Sequence, residues 1–377
     1  MLPERGHKED EGKAARRVAA FDGIRALAAT SVLFYHYRYT TLPTRALRYL
    51  ASGGWYGVDI FFVLSGFLIT RLLLSELEGS GTISLRRFYT RRALRLYPAF
   101  FSAIGIAIIT ASLKWKVPFG WQVVFLFTYV QNLWLAFAYI PAMNESLLLW
   151  PAWSLCIEEQ FYLLWPLALR KLGAANAISI LYGVVGISIL ARTACYILIP
   201  HTWSDPGSIV SNKAEAFIYY FTLTRLDSIG IGCILSLWVD RIGEQPELYS
   251  SKALWAYTIC AVVLIFFGTH CKPFYYTVGS AILAVAVGAI ITALWLGATN
   301  TVSRILSAEP LVEIGRVSYG IYLFQTLPIG FLLRHITRWK VVLVHVEVII
   351  WVVLIIAIAE VHYRLVERYF LSLRGSR

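Results

Sequence analysis

Runs of about 20 apolar residues recur along this chain, and no other feature constrains its fold as strongly. An α-helix rises about 1.5 Å per residue and the hydrocarbon layer of a bilayer is about 30 Å thick, so each run is long enough to cross one. The runs fall at 21–39, 56–75, 96–113, 121–140, 151–169, 176–199, 217–239, 253–269, 275–297, 314–333 and 341–363, which makes eleven candidates. With 58% hydrophobic and 15% charged residues, most of the chain belongs in lipid. The expected fold is therefore all-α and integral to the membrane, a single bundle of about ten transmembrane helices.

Charge fixes the expected topology. Lys13, Arg16 and Arg17 precede the first run, Arg86 to Arg95 follow the second, and Arg364, Arg368, Arg374 and Arg377 close the chain. Basic residues flanking spans mark the cytoplasmic side, so both termini are expected there, in a multi-pass protein of the cell (inner) membrane. Two cytoplasmic ends need an even number of crossings, and the run 121–140 is expected not to span. The organisation is read as a cytoplasmic tail over 1–17, one membrane domain over 18–370 and a second cytoplasmic tail over 371–377.

Several function classes are set aside at this stage. The net charge of +12 is spread over the connections between apolar runs instead of forming one basic face, so no nucleic-acid partner is expected. Cys156, Cys195, Cys233, Cys260 and Cys271 form no CxxC pair and read as buried apolar thiols. The seven histidines show neither HxxxH nor HExxH spacing, so no metal site is expected. A polar, charged stretch precedes the first run, so that run is expected to remain as a span and not to be a cleaved leader.

Six polar constellations interrupt the apolar pattern. The first run carries Asp22, Gly23, Arg25 and His36. Arg25 and His36 are eleven residues apart; eleven steps of 100° return to within about 20°, placing both on one face some 16 Å apart. An ionisable residue within a span costs a few kcal/mol and normally faces protein or a wet cavity. His36 is thus a general-base candidate, with a hydrogen bond to a neighbouring helix as its plain structural alternative. Asp59, in Gly57-Val58-Asp59 ahead of Ser65-Gly66, either sits at a helix N-terminus or pairs with Arg25 or His36. Arg92 and Arg95 are three apart and share a helix face, either as a topology signal or as a clamp for the phosphates of a cytosolic donor.

The fourth constellation is Trp153-Ser154-Leu155 with Glu158, Glu159, Phe161 and Tyr162. Neighbouring helical residues point about 100° apart, so the two glutamates cannot serve one site, and Glu158 shares a stripe with Tyr162 and Trp165. Arg225 and Asp227 are two apart and must find separate partners on other helices. The last constellation is Ser318-Tyr319-Gly320-Ile321-Tyr322 with Gln325.

Taken together and in this order, the six segments resemble the acyltransferase-3 family of multispanning membrane O-acyltransferases, from Phe21 to about Phe370. The resemblance is carried by Asp22-Gly23-Ile24-Arg25 with His36, Gly57-Val58-Asp59 through Ser65-Gly66, Arg92-x-x-Arg95 with Pro98, and Trp153-Ser154-Leu155 with Glu158. It continues in Arg225-x-Asp227, Ser318 to Leu323, and Tyr363 to Arg368. One departure is Gln325, where the family often has histidine.

The resemblance implies transfer of an acetyl or other acyl group from cytosolic acyl-CoA, as co-substrate and not as a tightly bound cofactor, to a hydroxyl of a glycan or lipid-linked sugar. On that reading Arg92 and Arg95 hold the donor's phosphates and His36 deprotonates the acceptor, with Arg25, Asp59 or Glu158 setting its orientation. Two rivals stand beside it. One is a transporter or flippase of a lipid-linked sugar, which would relay protons through His36, Glu158 and Asp227 and would show interrupted helices. The other is an inactive sensor of acyl-CoA or glycan.

Overall fold

The computed structural model describes residues 18–37, 51–115, 121–138, 149–199, 210, 212–325 and 344–373. The tail 1–17, the last four residues and the run beyond 325 as far as 343 lie outside the described residues, and so do the expectations placed on them. Among the described residues every regular element is a helix. In chain order they are α1 (Ala19–Tyr37), α2 (Gly57–Ser80), α3 (Leu85–Trp115), α4 (Trp121–Phe127) and α5 (Gln131–Ala138). Then come α6 (Trp153–Leu198), α7 (Lys213–Tyr220), α8 (Leu226–Gly243), α9 (Ser251–His270) and α10 (Lys272–Trp295). The last are α11 (Thr301–Leu306), α12 (Glu309–Arg316), α13 (Ser318–Phe324), α14 (Val344–His362) and the short α15 (Arg368–Ser372).

Five of these helices are long and apolar enough to cross a membrane, and six if α7 and α8 count as one bent span. Their outward faces carry large apolar side chains, including Leu163, Leu164, Ile197 and Val262, as a lipid-facing surface requires. Cys260 shares that exposed surface, unlike the buried Cys156 and Cys233, so the expectation of five buried thiols holds only in part. The run 121–140 forms two short helices, α4 and α5, of 7 and 8 residues. Neither reaches the roughly 20 residues a crossing needs.

Two expected segments, 151–169 and 176–199, merge into α6, 46 residues long and interrupted at Gly173 by a positive φ of 70°. Its helical length of about 69 Å is more than twice the hydrocarbon thickness. Gly173 therefore divides it into two pieces, each of crossing length.

Backbone contact between helices sets the interior. A Cβ on Gly66 of α2 would lie 2.1 Å from the Ile229 carbonyl oxygen, and one on Gly232 of α8 would lie 2.2 Å from that of Val63. The two glycines thus let α2 and α8 touch main chain to main chain, the close approach that small residues permit in membranes. The N-terminal half of α1 is gripped in the same way, with Gly23 against Leu306 and Gly315 against the Asp22 carbonyl.

The break between α7 and α8 bends the chain by 71°. A broken helix inside lipid frees carbonyls that must find donors, and side chains supply them. Asn132 Nδ2 donates to Tyr220 O at 3.1 Å, Thr224 Oγ1 to Ile218 O and Phe221 O at 2.8 and 2.7 Å, and Arg192 to Thr224 O at 3.0 Å.

Candidate active site

A cavity of about 480 Å³ follows one stripe of α2, from Glu76 to Val58. Eighteen residues of helix rise about 27 Å, close to the thickness of a hydrocarbon layer. Its volume falls within the range of small-molecule pockets. Leu72, Leu68, Ser65 and Phe61 mark successive turns of that wall. Opposite stand Tyr162, Glu158 and Ser154, spaced four apart on α6, and Ser318, Tyr319 and Tyr322 of α13.

Cationic residues form one wall of the cavity. Arg87, Arg91, Arg92 and Arg95 of α3 line it over about 12 Å of helix, with Arg92 and Arg95 within electrostatic reach of Glu158. The residues read as a connection in the sequence are in fact the first turns of α3, which has no acid in its opening turn. Four cations along one helix repel one another, an arrangement that an anion relieves. The Arg92 guanidinium lies 3.9 Å from the Tyr162 ring centroid. Arg92 and Arg95 are thus brought together, and Arg87 and Arg91 join them. The i, i+4, i+8 spacing of Arg87, Arg91 and Arg95 was the sequence signal for that wider cluster.

Farther in, Glu158 accepts hydrogen bonds from Ser65 Oγ at 3.0 Å and Tyr162 Oη at 3.2 Å. Arg25 reaches the cavity wall while pairing with Asp22 at 2.7 Å, one helical turn away. Tyr319, also on the wall, donates to Leu96 O at 3.2 Å and ties α13 to α3. At the deep end Tyr322 Oη donates to Pro151 O at 2.9 Å and stands 2.6 Å from Ser154 Oγ.

His36 is not among the residues lining the cavity. It is joined to the deep end through Gln325, whose Oε1 lies 3.2 Å from His36 Nδ1 and whose Nε2 donates to Tyr322 O at 2.9 Å. The carboxylate expected to orient His36 or to pair with Arg25 does neither. Asp59 turns to the start of α8, where Arg225 just ahead of that helix and Ser228 on it donate at 2.9 and 3.0 Å, and Tyr275 of α10 donates at 3.2 Å. The cause is the Gly66–Gly232 contact, which draws α8 against the face of α2 that carries Asp59.

Arg225 and Asp227 do find separate partners. Arg225 pairs with Asp59, and Asp227 with Arg192 at 2.9 Å, every one of these side chains being at most 1% exposed. Arg192 was not singled out in the sequence. The available signal was a lone arginine within an apolar run, which inside lipid demands a partner. These two ion pairs lie outside the cavity wall and hold α2, α6, α8 and α10 together.

The fold and the cavity define a class: a helical membrane protein with a partly open, largely apolar cavity into which four arginines and a carboxylate are set. The sequence model of the acyltransferase domain of the acyltransferase-3 family matches residues 18–362, and the chain belongs to that family. It is 34% identical over 328 residues to the peptidoglycan O-acetyltransferase OatA of Listeria monocytogenes, covering 82% of this chain and 49% of that protein. It is 31% identical to the putative peptidoglycan O-acetyltransferase YrhL of Bacillus subtilis, covering 82% and 48%. With the O-acetyltransferase OatA of Staphylococcus aureus identity is 30%, covering 93% and 57%. The chain thus spans about half the length of the curated relatives it matches. No solved structure matches it.

Proposed function

We propose that this protein is an O-acyltransferase of the cell membrane that moves an acetyl or similar acyl group from cytosolic acyl-CoA to a hydroxyl of a glycan, of which peptidoglycan is the nearest candidate. The observation that carries the reading is the cavity: four arginines on one wall, a carboxylate and hydroxyls beside them, and a path along α2 nearly as long as the hydrocarbon layer is thick. Arg92 and Arg95, supported by Arg87 and Arg91, hold the phosphates of the donor. Its thin thioester arm extends past Glu158 toward Tyr322.

His36 acts as general base at the far end. It takes the proton of the acceptor hydroxyl as that oxygen attacks the thioester carbonyl carbon. A tetrahedral intermediate forms, the carbon–sulfur bond breaks, and the leaving thiolate takes up the proton from the imidazolium. Arg25 and Glu158 line the donor's path, and Ser318 and Tyr319 shape its wall. The ten-span topology with both termini in the cytoplasm is part of the same reading, since it puts the arginine end on the side where acyl-CoA is found.

The test is transfer of radiolabelled acetyl from acetyl-CoA to peptidoglycan fragments or lipid-linked precursors in membranes containing the protein. His36→Ala is expected to lower the rate about 10²- to 10⁴-fold. A rate within twofold of wild type would remove His36 from the chemistry.

The bend of 71° between α7 and α8 is the kind of interruption a transporter uses. Here the charges at the bend are already matched with one another, Arg225 to Asp59 and Asp227 to Arg192, which argues for a fixed joint. Flipping of a labelled lipid-linked sugar by the protein in vesicles, without any acyl donor, would favour the transporter instead.

A further inference from the structure

We infer that Gln325 is a positioning residue that fixes the tautomer of His36. The inference rests on the reading of His36 as the base and concerns which of its two nitrogens can act.

The argument runs through hydrogen-bond direction. Gln325 is fully buried. Its Nε2 faces the carbonyl oxygen of Tyr322 at 2.9 Å. A backbone carbonyl has lone pairs and no proton, so the NH₂ end of the amide must be the end that points there. The amide oxygen is then the atom at 3.2 Å from His36 Nδ1. An amide oxygen accepts and cannot donate, so the proton in that contact is on Nδ1. In a neutral imidazole this puts the lone pair on Nε2, and Nε2 is the nitrogen that takes a proton from an alcohol.

The choice of an amide has a further consequence. A carboxylate at this position would fix the same tautomer and also stabilise the imidazolium through its charge. Glutamine fixes the tautomer and adds no charge.

Three full-length variants test this in native membranes and after purification in detergent: Gln325→Met, Gln325→Glu and, for assignment, His36→Asn. Nitrogen NMR of protein labelled at the histidine rings reports the tautomer directly, with the His36 signals identified by their loss in His36→Asn. Wild type is expected to show a protonated, pyrrole-type Nδ1 and a pyridine-type Nε2. Gln325→Met keeps the volume and removes the acceptor, so its His36 signals should move toward a mixture of tautomers. Its kcat should fall about 10-fold or more with the KM for acetyl-CoA unchanged. Gln325→Glu should keep the wild-type tautomer, because the side-chain oxygen facing Nδ1 still only accepts.

A pyridine-type Nδ1 in wild type, or a single unaltered tautomer and undiminished kcat in Gln325→Met, would overturn the inference. The nitrogen spectra need no turnover. Should wild type transfer no acyl group, the proposed function fails by itself, and the spectra still decide the role of Gln325.

Discussion

Arg225 sits in the protein interior with Asp59 at 2.9 Å, Tyr275 Oη at 2.6 Å and the rings of Tyr219, Phe62 and Trp153 around its guanidinium. Removing one partner of such a pair leaves a buried charge uncompensated, at a cost of about 3–5 kcal/mol. Asp59→Ala should therefore lower the melting temperature of the purified protein sharply. The double variant Asp59→Ala with Arg225→Met should be less destabilised than the sum of the single changes. Additive losses would mean that the pair is not coupled. Arg92 and Arg95 belong to a different class of residue, partly exposed and facing a cavity. Arg92→Ala and Arg95→Ala should each raise the KM for acyl-CoA several-fold with a smaller effect on kcat, and raising ionic strength should mimic them. A KM unchanged in both variants would leave these arginines as markers of topology. Both arginine roles were open in the sequence, because spacing shows which residues share a face and not what that face meets.

At the scale of elements, the contact between α2 and α8 decides the most. Gly66 and Gly232 each leave room for a carbonyl of the other helix, at 2.1 and 2.2 Å from where a Cβ would stand. Leucine at either position must push the helices apart, which would also separate Asp59 from Arg225. Gly66→Leu and Gly232→Leu should each reduce the yield of monodisperse protein and the melting temperature by at least as much as Asp59→Ala. A folded, fully stable Gly232→Leu protein would show that the crossing tolerates slack. Ser65-Gly66 is a small-residue pair of the kind that permits close helix approach, and its position is plain in the sequence. The joining of two apolar runs into α6 and the break between α7 and α8 were not. Hydropathy registers length and polarity, whereas Gly173 with φ 70° and the bend of 71° are backbone choices that neighbouring helices stabilise.

At the scale of the whole molecule, the cavity makes a prediction about access. Ser65→Cys, on the cavity wall, should react with a charged maleimide supplied on the arginine side and should be protected by acyl-CoA. Leu164→Cys, whose side is 64% exposed on the outer face of α6, should stay unreactive because that face meets lipid. Labelling of Leu164→Cys with Ser65→Cys inert would place the aqueous path elsewhere. The same experiment reports which face of the membrane the arginines occupy.

By itself the sequence determined that this chain is helical and lives in lipid, because apolar runs of membrane length leave the backbone no other way to satisfy its hydrogen bonds. It also marked the ionisable residues that matter, since each one inside an apolar run carries a cost that demands a reason. What it could not determine was pairing. Asp59 was one acid with two basic candidates, Arg25 and His36, and only the approach of α8 to α2 gave it Arg225 and left His36 to Gln325. That decision belongs to tertiary structure, for a buried charge is settled by whichever partner the packing of backbones brings within hydrogen-bond reach.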